Sequence, residues 1–394
     1  MNARRILLEL FDAALRAVDG RACVCRFLRA ARLPGSIEVF AIGKAASAMA
    51  LGARDVLADR IVRTLAITKD GHVDPDLERA PGVTILESAH PVPDERSLAA
   101  GAELQRRLRE LRADVTPLFL VSGGSSSLAE LLREEATLED LRSLNRRGLA
   151  AGWDIATLNA ERARLSQLKA GGVARMLAGR RALALFISDV PADDPDVIGS
   201  GLLGREAGKP DAIERHVIAT LEMAMLAVIE AAQAHGIELQ SRAARVDGDI
   251  GEIANNLIEA ARACEAAGLV WGGEPTVTLP ASPGRGGRNT HLALTFARQL
   301  RAGEPWLLLA AGTDGTDGPT GDAGAIVDAG TVDRATLAGC DVERAWREFD
   351  SAAALEAAED LVHTGPTGTN VGDIMIAIKR TTESLRGQPR PRMV

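Results

Sequence analysis

The chain has 394 residues, 46% of them hydrophobic, enough to bury a large core and long enough to favour two domains over one. Its 54 acidic residues exceed its 46 basic ones for a net charge of −8, so no field draws it to nucleic acid, and no run reaches the roughly twenty apolar residues of a membrane span. Cys23, Cys25, Cys264 and Cys340 show neither zinc spacing nor a disulfide framework, which reads as buried thiols in a reducing cytoplasm.

Residues 1–15 form an amphipathic pattern charged at Arg4, Arg5 and Glu9, unlike the continuous apolar core of a signal peptide. The apolar run 38–42 breaks at Gly43, and Lys44 opens a segment with Ala45, Ala46, Met49 and Leu51 at helical spacing. Lys44 is thus expected on the first helical turn at the carboxyl end of a strand, where open α/β sheets bind their ligands. A solvent-facing lysine is the alternative, but a cation at a helix N-terminus is disfavoured unless an anion joins it. Strands are expected over 65–68 and 83–87, with His72 and His90 in loops, followed by a charged amphipathic helix over 95–112.

The buried strand 118–121 leads into Ser122-Gly123-Gly124-Ser125-Ser126-Ser127 before a helix at Leu128. A glycine-serine loop between strand and helix can cradle phosphate with amides and hydroxyls, though it lacks the Gly-Lys-Ser/Thr ending of a P-loop. Helices are expected over 138–151 and 154–168, the second carrying Asn159, Arg162, Arg164 and Ser166, with Lys169 just beyond. Strand 183–187 ends in Ser188-Asp189, a position suited to a Mg²⁺ ligand or a substrate-orienting carboxylate. A loop over 199–210 and a long helix over 211–235 then close the first domain, placing the boundary near residue 240: domains 1–240 and 241–394.

In the second half a strand near 237–239, a helix over 249–267 and a strand from 269 precede Gly272-Gly273-Glu274-Pro275, read as a tight turn, and strand 276–279. Gly284-Arg285-Gly286-Gly287-Arg288-Asn289 then opens a helix over 291–300. Glycines without a Cβ let backbone N–H groups close on a ligand, and a helix N-terminus adds partial positive charge, so this loop reads as an anion clamp. Strand 306–311 ends in Gly312-Thr313-Asp314-Gly315-Thr316-Asp317-Gly318, two carboxylates on a glycine turn. A glycine-threonine loop, 363–370, precedes strand 374–378, and the basic cluster 386–392 reads as a solvated tail. The recurring strand, glycine loop and helix predict parallel sheets, and an anion clamp with an acidic loop suggests phosphoryl transfer.

Gly43-Lys44, His90-Pro91-Val92-Pro93-Asp94, Ser122-Gly123-Gly124, Ser188-Asp189-Val190-Pro191, Gly272-Gly273-Glu274, Gly286-Gly287-Arg288-Asn289, Gly312-Thr313-Asp314-Gly315 and Thr364-Gly365-Pro366-Thr367-Gly368-Thr369-Asn370 resemble, in order, the motifs of the glycerate 2-kinase family. The resemblance implies an α/β fold of two domains, a larger Rossmann-like N-terminal domain and a smaller MOFRL-type C-terminal one with a cleft between them. It implies ATP- and Mg²⁺-dependent phosphorylation of D-glycerate at O2, while composition leads one to expect a cytoplasmic enzyme with no nucleic-acid or membrane partner and leaves the oligomeric state open. Family members also carry the label hydroxypyruvate reductase; the chain lacks the Gly-x-Gly-x-x-Gly fingerprint and acidic partner that NAD(P)H binding calls for, so that activity and a kinase for another hydroxy acid are the alternatives.

By this resemblance Lys44 and Arg288 match the catalytic pair. Lys44 is a point charge for the transferring phosphoryl and Arg288 a fork for phosphate or the glycerate carboxylate. Ser122, Gly123, Gly124, Ser125, Arg162, Gly286, Gly287, Asn289 and Thr313 are expected to bind substrate or phosphate. Asp189, Asp314 and Asp317 are candidates for Mg²⁺ or for the hydroxyl proton. Departures from the family pattern at Ser125, Leu202, Thr290 and His291 are expected to reshape the substrate pocket.

Overall fold

The computed structural model describes residues 2–150, 155–206, 212–241, 245–280 and 282–380, and within them the chain forms two compact units. The N-terminal unit comprises Val18–Thr220 with Gly368–Val371; the C-terminal unit comprises residues up to Ala17, Leu221–Thr367 and those from Gly372 on. The basic tail and part of the 199–210 loop lie outside the described residues. No described helix is long and apolar enough to cross a membrane. The four cysteines are free thiols, with Cys23, Cys25 and Cys264 buried.

The first helix, α1 (Ala3–Ala17), belongs to the C-terminal unit and buries Leu7, Leu10, Phe11 and Ala14 along one stripe. The N-terminal unit then runs α2 (Gly20–Ala30), β1 (Ser36–Ile42), α3 (Ala46–Leu57), β2 (Ile61–Lys69), α4 (Pro75–Glu78), β3 (Val83–Ser88), α5 (Glu95–Arg109) and β4 (Val115–Val121). It continues through α6 (Ser125–Leu128), α7 (Leu138–Ala150), α8 (Ile155–Leu165), α9 (Gly172–Met176), β5 (Ala182–Ile187) and β6 (Ile213–Ala219). Its six strands lie in the order β3-β2-β1-β4-β5-β6, every pair parallel. The central strands are largely apolar: Phe40 of β1 pairs with Leu65 on one side and Phe119 on the other, the two phenyl rings stacked 5.1 Å apart. The strand order reverses between β1 and β4, so loops leaving their carboxyl ends diverge and open a crevice, the usual ligand position of a doubly wound sheet.

The single helix expected over 211–235 is instead β6 followed by α10 (Leu221–Ala234). β6 is an edge strand, largely half-buried, and its Ile213, Val217 and Ile218 run straight into the apolar α10, so the segment reads as one helix. The chain changes units at Leu221 rather than near 240, because α10 packs on α1 and on the sheet of the C-terminal unit.

That unit continues with β7 (Leu239–Ser241), β8 (Val246–Asp249), α11 (Ile250–Ala263), β9 (Gly268–Thr276), α12 (Arg288–Gln299), β10 (Trp306–Gly312) and β11 (Gly324–Asp328). α13 (Thr331–Leu337), α14 (Val342–Arg347), α15 (Ser351–Ala357), β12 (Leu361–Val362) and β13 (Asp373–Lys379) complete it. The sheet order is β12-β11-β10-β13-β9-β7, with β8 also on β9. The parallel sheet predicted from the repeated loop pattern does not extend to this unit: β12, β11, β10, β13 and β9 pair antiparallel, and β7 and β8 join β9 in parallel. The glycine loop after β10 leads to no helix but back along the sheet as β11, a connection that antiparallel strands permit. Gly272-Gly273-Glu274-Pro275 is not a turn but the carboxyl half of β9, where a Cβ on Gly273 would lie 2.6 Å from the Val246 carbonyl carbon. α11 and α12 cover the sheet through Leu257, Phe296, Trp306, Leu308 and Met375.

Candidate functional site

In the N-terminal unit two loops meet at the reversal of strand order. Gly43 N–H donates to Ile67 O at 3.0 Å and Ser122 N–H to Ile42 O at 3.0 Å, so both loops leave the sheet in fixed directions. Lys44 N–H donates to Gly123 O at 2.9 Å and Ala45 N–H to Ser122 Oγ at 3.0 Å, which ties the lysine turn to the glycine-serine loop. Gly43 has a φ of +130°, and a Cβ there would lie 2.8 Å from the Ser122 carbonyl carbon, so glycine is required twice over. Lys44 precedes α3 instead of sitting on its first turn, because the amides of Lys44 and Ala45 are engaged by the neighbouring loop.

Gly123 and Gly124 form the floor of this region. A Cβ on Gly124 would sit 3.2 Å from Lys44 Cγ and 3.1 Å from His90 Cδ2, and one on Gly123 would collide with Asp189 and Asn370. Asn370 Nδ2 donates to Asp189 Oδ2 at 3.1 Å. Lys44, Ser122, Gly123, Gly124 and Asp189 are therefore brought together as the sequence suggested, joined by His90, read there as loop structure, and by Asn370, which was not singled out. Ser122 Oγ holds the Ala45 amide, whereas Ser125 Oγ is buried with no hydrogen-bond partner among the described residues. The helix expected at Leu128 is a single turn, α6.

Arg162 connects to this loop through a line of polar bonds. Its Nε donates to Asn145 Oδ1 at 2.8 Å and its Nη1 to Asn159 Oδ1 at 3.4 Å; Ser200 Oγ donates to the same Asn159 oxygen at 2.9 Å and lies 2.7 Å from Ser126 Oγ. Burial lowers the guanidinium's pKa and the Glu130 charge only partly opposes it. Its hydrogen bonds go to neutral amide oxygens, which leaves its charge available to an anion. Beneath lies a fully buried ion pair not predicted as functional: Lys169 Nζ reaches Glu130 Oε2 at 2.5 Å and Ser126 O at 2.8 Å, and Ser166 Oγ donates to Glu130 Oε1 at 2.5 Å. Burial pushes the Lys169 pKa down against the pull of Glu130. This pair braces the loop from inside.

In the C-terminal unit the expected anion clamp is filled by the chain itself. The amides of Asn289 and Thr290, on the first turn of α12, donate to Asp317 Oδ1 and Oδ2 at 2.9 and 2.8 Å, placing a carboxylate where the helix dipole favours one. Burial raises the Asp317 pKa, and those two amides together with the Arg288 charge oppose the rise. Gly287 is glycine because a Cβ would strike Asp317, and Gly286 because one would strike Ser351. Gly286 and Gly287 thus leave room for these neighbours, and Asp317 caps the first turn of α12 with both carboxylate oxygens.

Arg288 stands on the first position of α12 with its side chain turned toward β9 and β13. Nη1 lies 2.6 Å from Glu274 Oε1 and Nη2 3.1 Å from Asp373 Oδ2. Burial works against its charge, but Asp373 and Glu274 outweigh that and raise its pKa. Burial, with Glu274 and Asp317 adding to it and Arg288 opposing, raises the Asp373 pKa to about 6. Glu274 and Asp373 were not predicted as site residues. Thr313, also predicted to bind phosphate, is buried, with its amide and Oγ1 donating to Gly372 O at 3.0 and 2.6 Å.

Among the described residues no group of three or more His, Cys, Asp or Glu side chains is arranged to hold a metal ion. Asp314 Oδ1 accepts from the Thr316 amide and hydroxyl at 2.9 and 3.1 Å, closing its own turn. A Mg²⁺ that accompanies ATP needs one or two carboxylates beside phosphate and water. Asp189, next to the glycine floor, fits that requirement.

Of the departures from the family pattern, Thr290, His291 and Leu202 are buried. Thr290 receives the Gly287 amide at 2.8 Å as part of the α12 cap, and buried His291 stacks on Phe349 with ring centroids 4.1 Å apart. Leu202 lies in the core of the N-terminal unit. These residues pack the interior.

Residues 6–232 match the family model described as a domain of unknown function, DUF4147, and residues 267–373 match the MOFRL family. The chain is 33% identical to D-glycerate 2-kinase of Thermotoga maritima over 96% of this chain and 98% of that protein. It is likewise 33% identical to a putative hydroxypyruvate reductase of Agrobacterium vitis over 95% of this chain and 94% of that one. A solved structure of glycerate kinase from Thermotoga maritima, 31% identical, superimposes with a TM-score of 0.80 over 95% of this chain and 99% of that chain.

Proposed function

Because the chain belongs to the glycerate 2-kinase family, we propose that it transfers the γ-phosphoryl group of ATP to O2 of D-glycerate, giving 2-phosphoglycerate and ADP. The observation that carries this reading is the end-to-end likeness to a D-glycerate 2-kinase, together with Lys44 placed over a glycine floor at the switch point of a parallel sheet. In the transfer the O2 oxygen attacks the γ-phosphorus while the bond to the β-phosphate oxygen breaks, its electrons leaving on ADP, and the hydroxyl proton passes to water. A loose transition state of this kind asks the protein mainly for positioning and charge neutralisation.

Lys44 supplies a point charge for the transferring group, and the amides of Ser122–Ser125 cradle phosphate. Arg162 offers its guanidinium to an anionic reactant. Arg288, with two of its donors on Glu274 and Asp373, keeps further N–H groups for phosphate or for the glycerate carboxylate. Mg²⁺ bound with ATP supplies neutralisation of the polyphosphate charge, and Asp189 is the carboxylate that would hold it.

The test compares two reactions of one preparation. ADP release that requires D-glycerate, with no NADH or NADPH oxidation on hydroxypyruvate, is the expected result. Hydroxypyruvate reduction without glycerate-dependent ADP release would replace the kinase reading with the reductase one.

A further inference from the structure

The glycine floor of the N-terminal unit is completed by a segment from far along the chain. Gly368–Val371 follows Thr367 in sequence yet belongs to the unit built from Val18–Thr220. It is firmly seated there. Gly20 N–H donates to Gly368 O at 3.1 Å, and buried Thr369 donates its hydroxyl to Val18 O at 2.6 Å. Gly368 has a φ of +75°, and a Cβ on it would lie 2.8 Å from the Ala48 methyl, so no other residue takes this path without strain.

The result of that seating is one directed contact. Buried Asn370 turns Nδ2 onto Asp189 Oδ2, and the pair fits only because Gly123 has no side chain beneath it. An aspartate at the end of a strand has rotamers to choose from, and a donor on one oxygen selects one of them.

We propose that Asn370 is a positioning residue for phosphoryl transfer, holding the Asp189 carboxylate against Gly123 in the orientation that meets the reactants. The inference rests on the kinase reading, since it requires Asp189 to face them.

A double-mutant cycle of Asn370→Ala and Asp189→Ala tests it, with kcat, KM and melting temperature measured for each variant. Asn370→Ala is expected to lower kcat about 10- to 100-fold, the scale of a misplaced catalytic group, with a smaller change in the KM for glycerate. In the Asp189→Ala background the same substitution should cost less than about threefold, because there is no carboxylate left to orient. Asn370→Asp keeps the shape but lacks the donor, and it should lose at least as much activity as Asn370→Ala. Additive losses around the cycle, or wild-type kcat in Asn370→Asp, would overturn the proposal. If the wild-type protein turned over no glycerate, the kinase reading would fail by itself. The cycle is then read on the rise in melting temperature produced by ATP with Mg²⁺, where coupled losses support the placement and additive losses contradict it.

Discussion

Replacing Arg288 with alanine removes the cation on which Glu274 and Asp373 converge, and two observables report the loss. Turnover should fall by a factor of about 10² to 10³, the scale of one preorganised charge-stabilising donor. Stability should acquire a distinctive pH dependence through Asp373. Its folded pKa of about 6 lies roughly two units above the unfolded value, which at 1.36 kcal/mol per unit makes its ionised form cost about 3 kcal/mol even with Arg288 beside it. For a carboxyl raised in this way the folded protein holds the proton that the unfolded chain has already lost. Stability is therefore greatest below the unfolded pKa and declines as pH climbs through the folded one. Without Arg288 the folded pKa moves further up and the decline extends to higher pH. Thermal melts at pH 5 and pH 8 should show Arg288→Ala losing more stability, relative to wild type, at pH 8. Arg288→Ala combined with Asp373→Asn should erase most of the difference. A loss equal at both pH values, or turnover within about threefold of wild type, would refute this account of Arg288.

Lys44→Ala should lower kcat by a similar factor of about 10² to 10³ with a melting temperature near that of wild type, and unchanged turnover would remove Lys44 from the chemistry. His291, whose pKa burial and the nearby Arg298 lower to about 4, stays neutral in the folded protein while the unfolded chain takes up a proton below pH 6.5. Its contribution is complete above that pH and is lost as pH falls toward 4, an amount of about 3 kcal/mol. His291→Leu should flatten the acid limb of the stability profile, and an unaltered slope would argue against the neutral ring. Lys169→Met leaves Glu130 buried without its partner and should cost about 3 to 5 kcal/mol, with much of it recovered by adding Glu130→Leu; a neutral single variant would contradict a buried ion pair.

The N-terminal sheet was legible because strands covered on both faces read as unbroken apolar runs, and 118–121 and 183–187 fall inside β4 and β5. The loops were legible because glycine beside lysine or serine after such a run has few other uses. What escaped the sequence was settled by partners distant along the chain. β6 is a strand because β5 offers it an edge, while its composition alone merges with α10. Asp317 meets the α12 amides with both its oxygens from a separate loop, and Asn370 gains its meaning from Asp189, 181 residues earlier. The burial of His291 and Leu202 was not legible, because local sequence does not reveal which side of an element faces the core.

The central claim is transfer to O2 of D-glycerate, and the most direct measurement couples the reaction to enolase, pyruvate kinase and lactate dehydrogenase with phosphoglycerate mutase omitted. Only 2-phosphoglycerate enters that sequence. NADH consumption that requires D-glycerate, ATP, Mg²⁺ and enolase together is the predicted result. NADH consumption that begins only when the mutase is added would place the phosphate on O3, and none under either condition would contradict glycerate as the substrate.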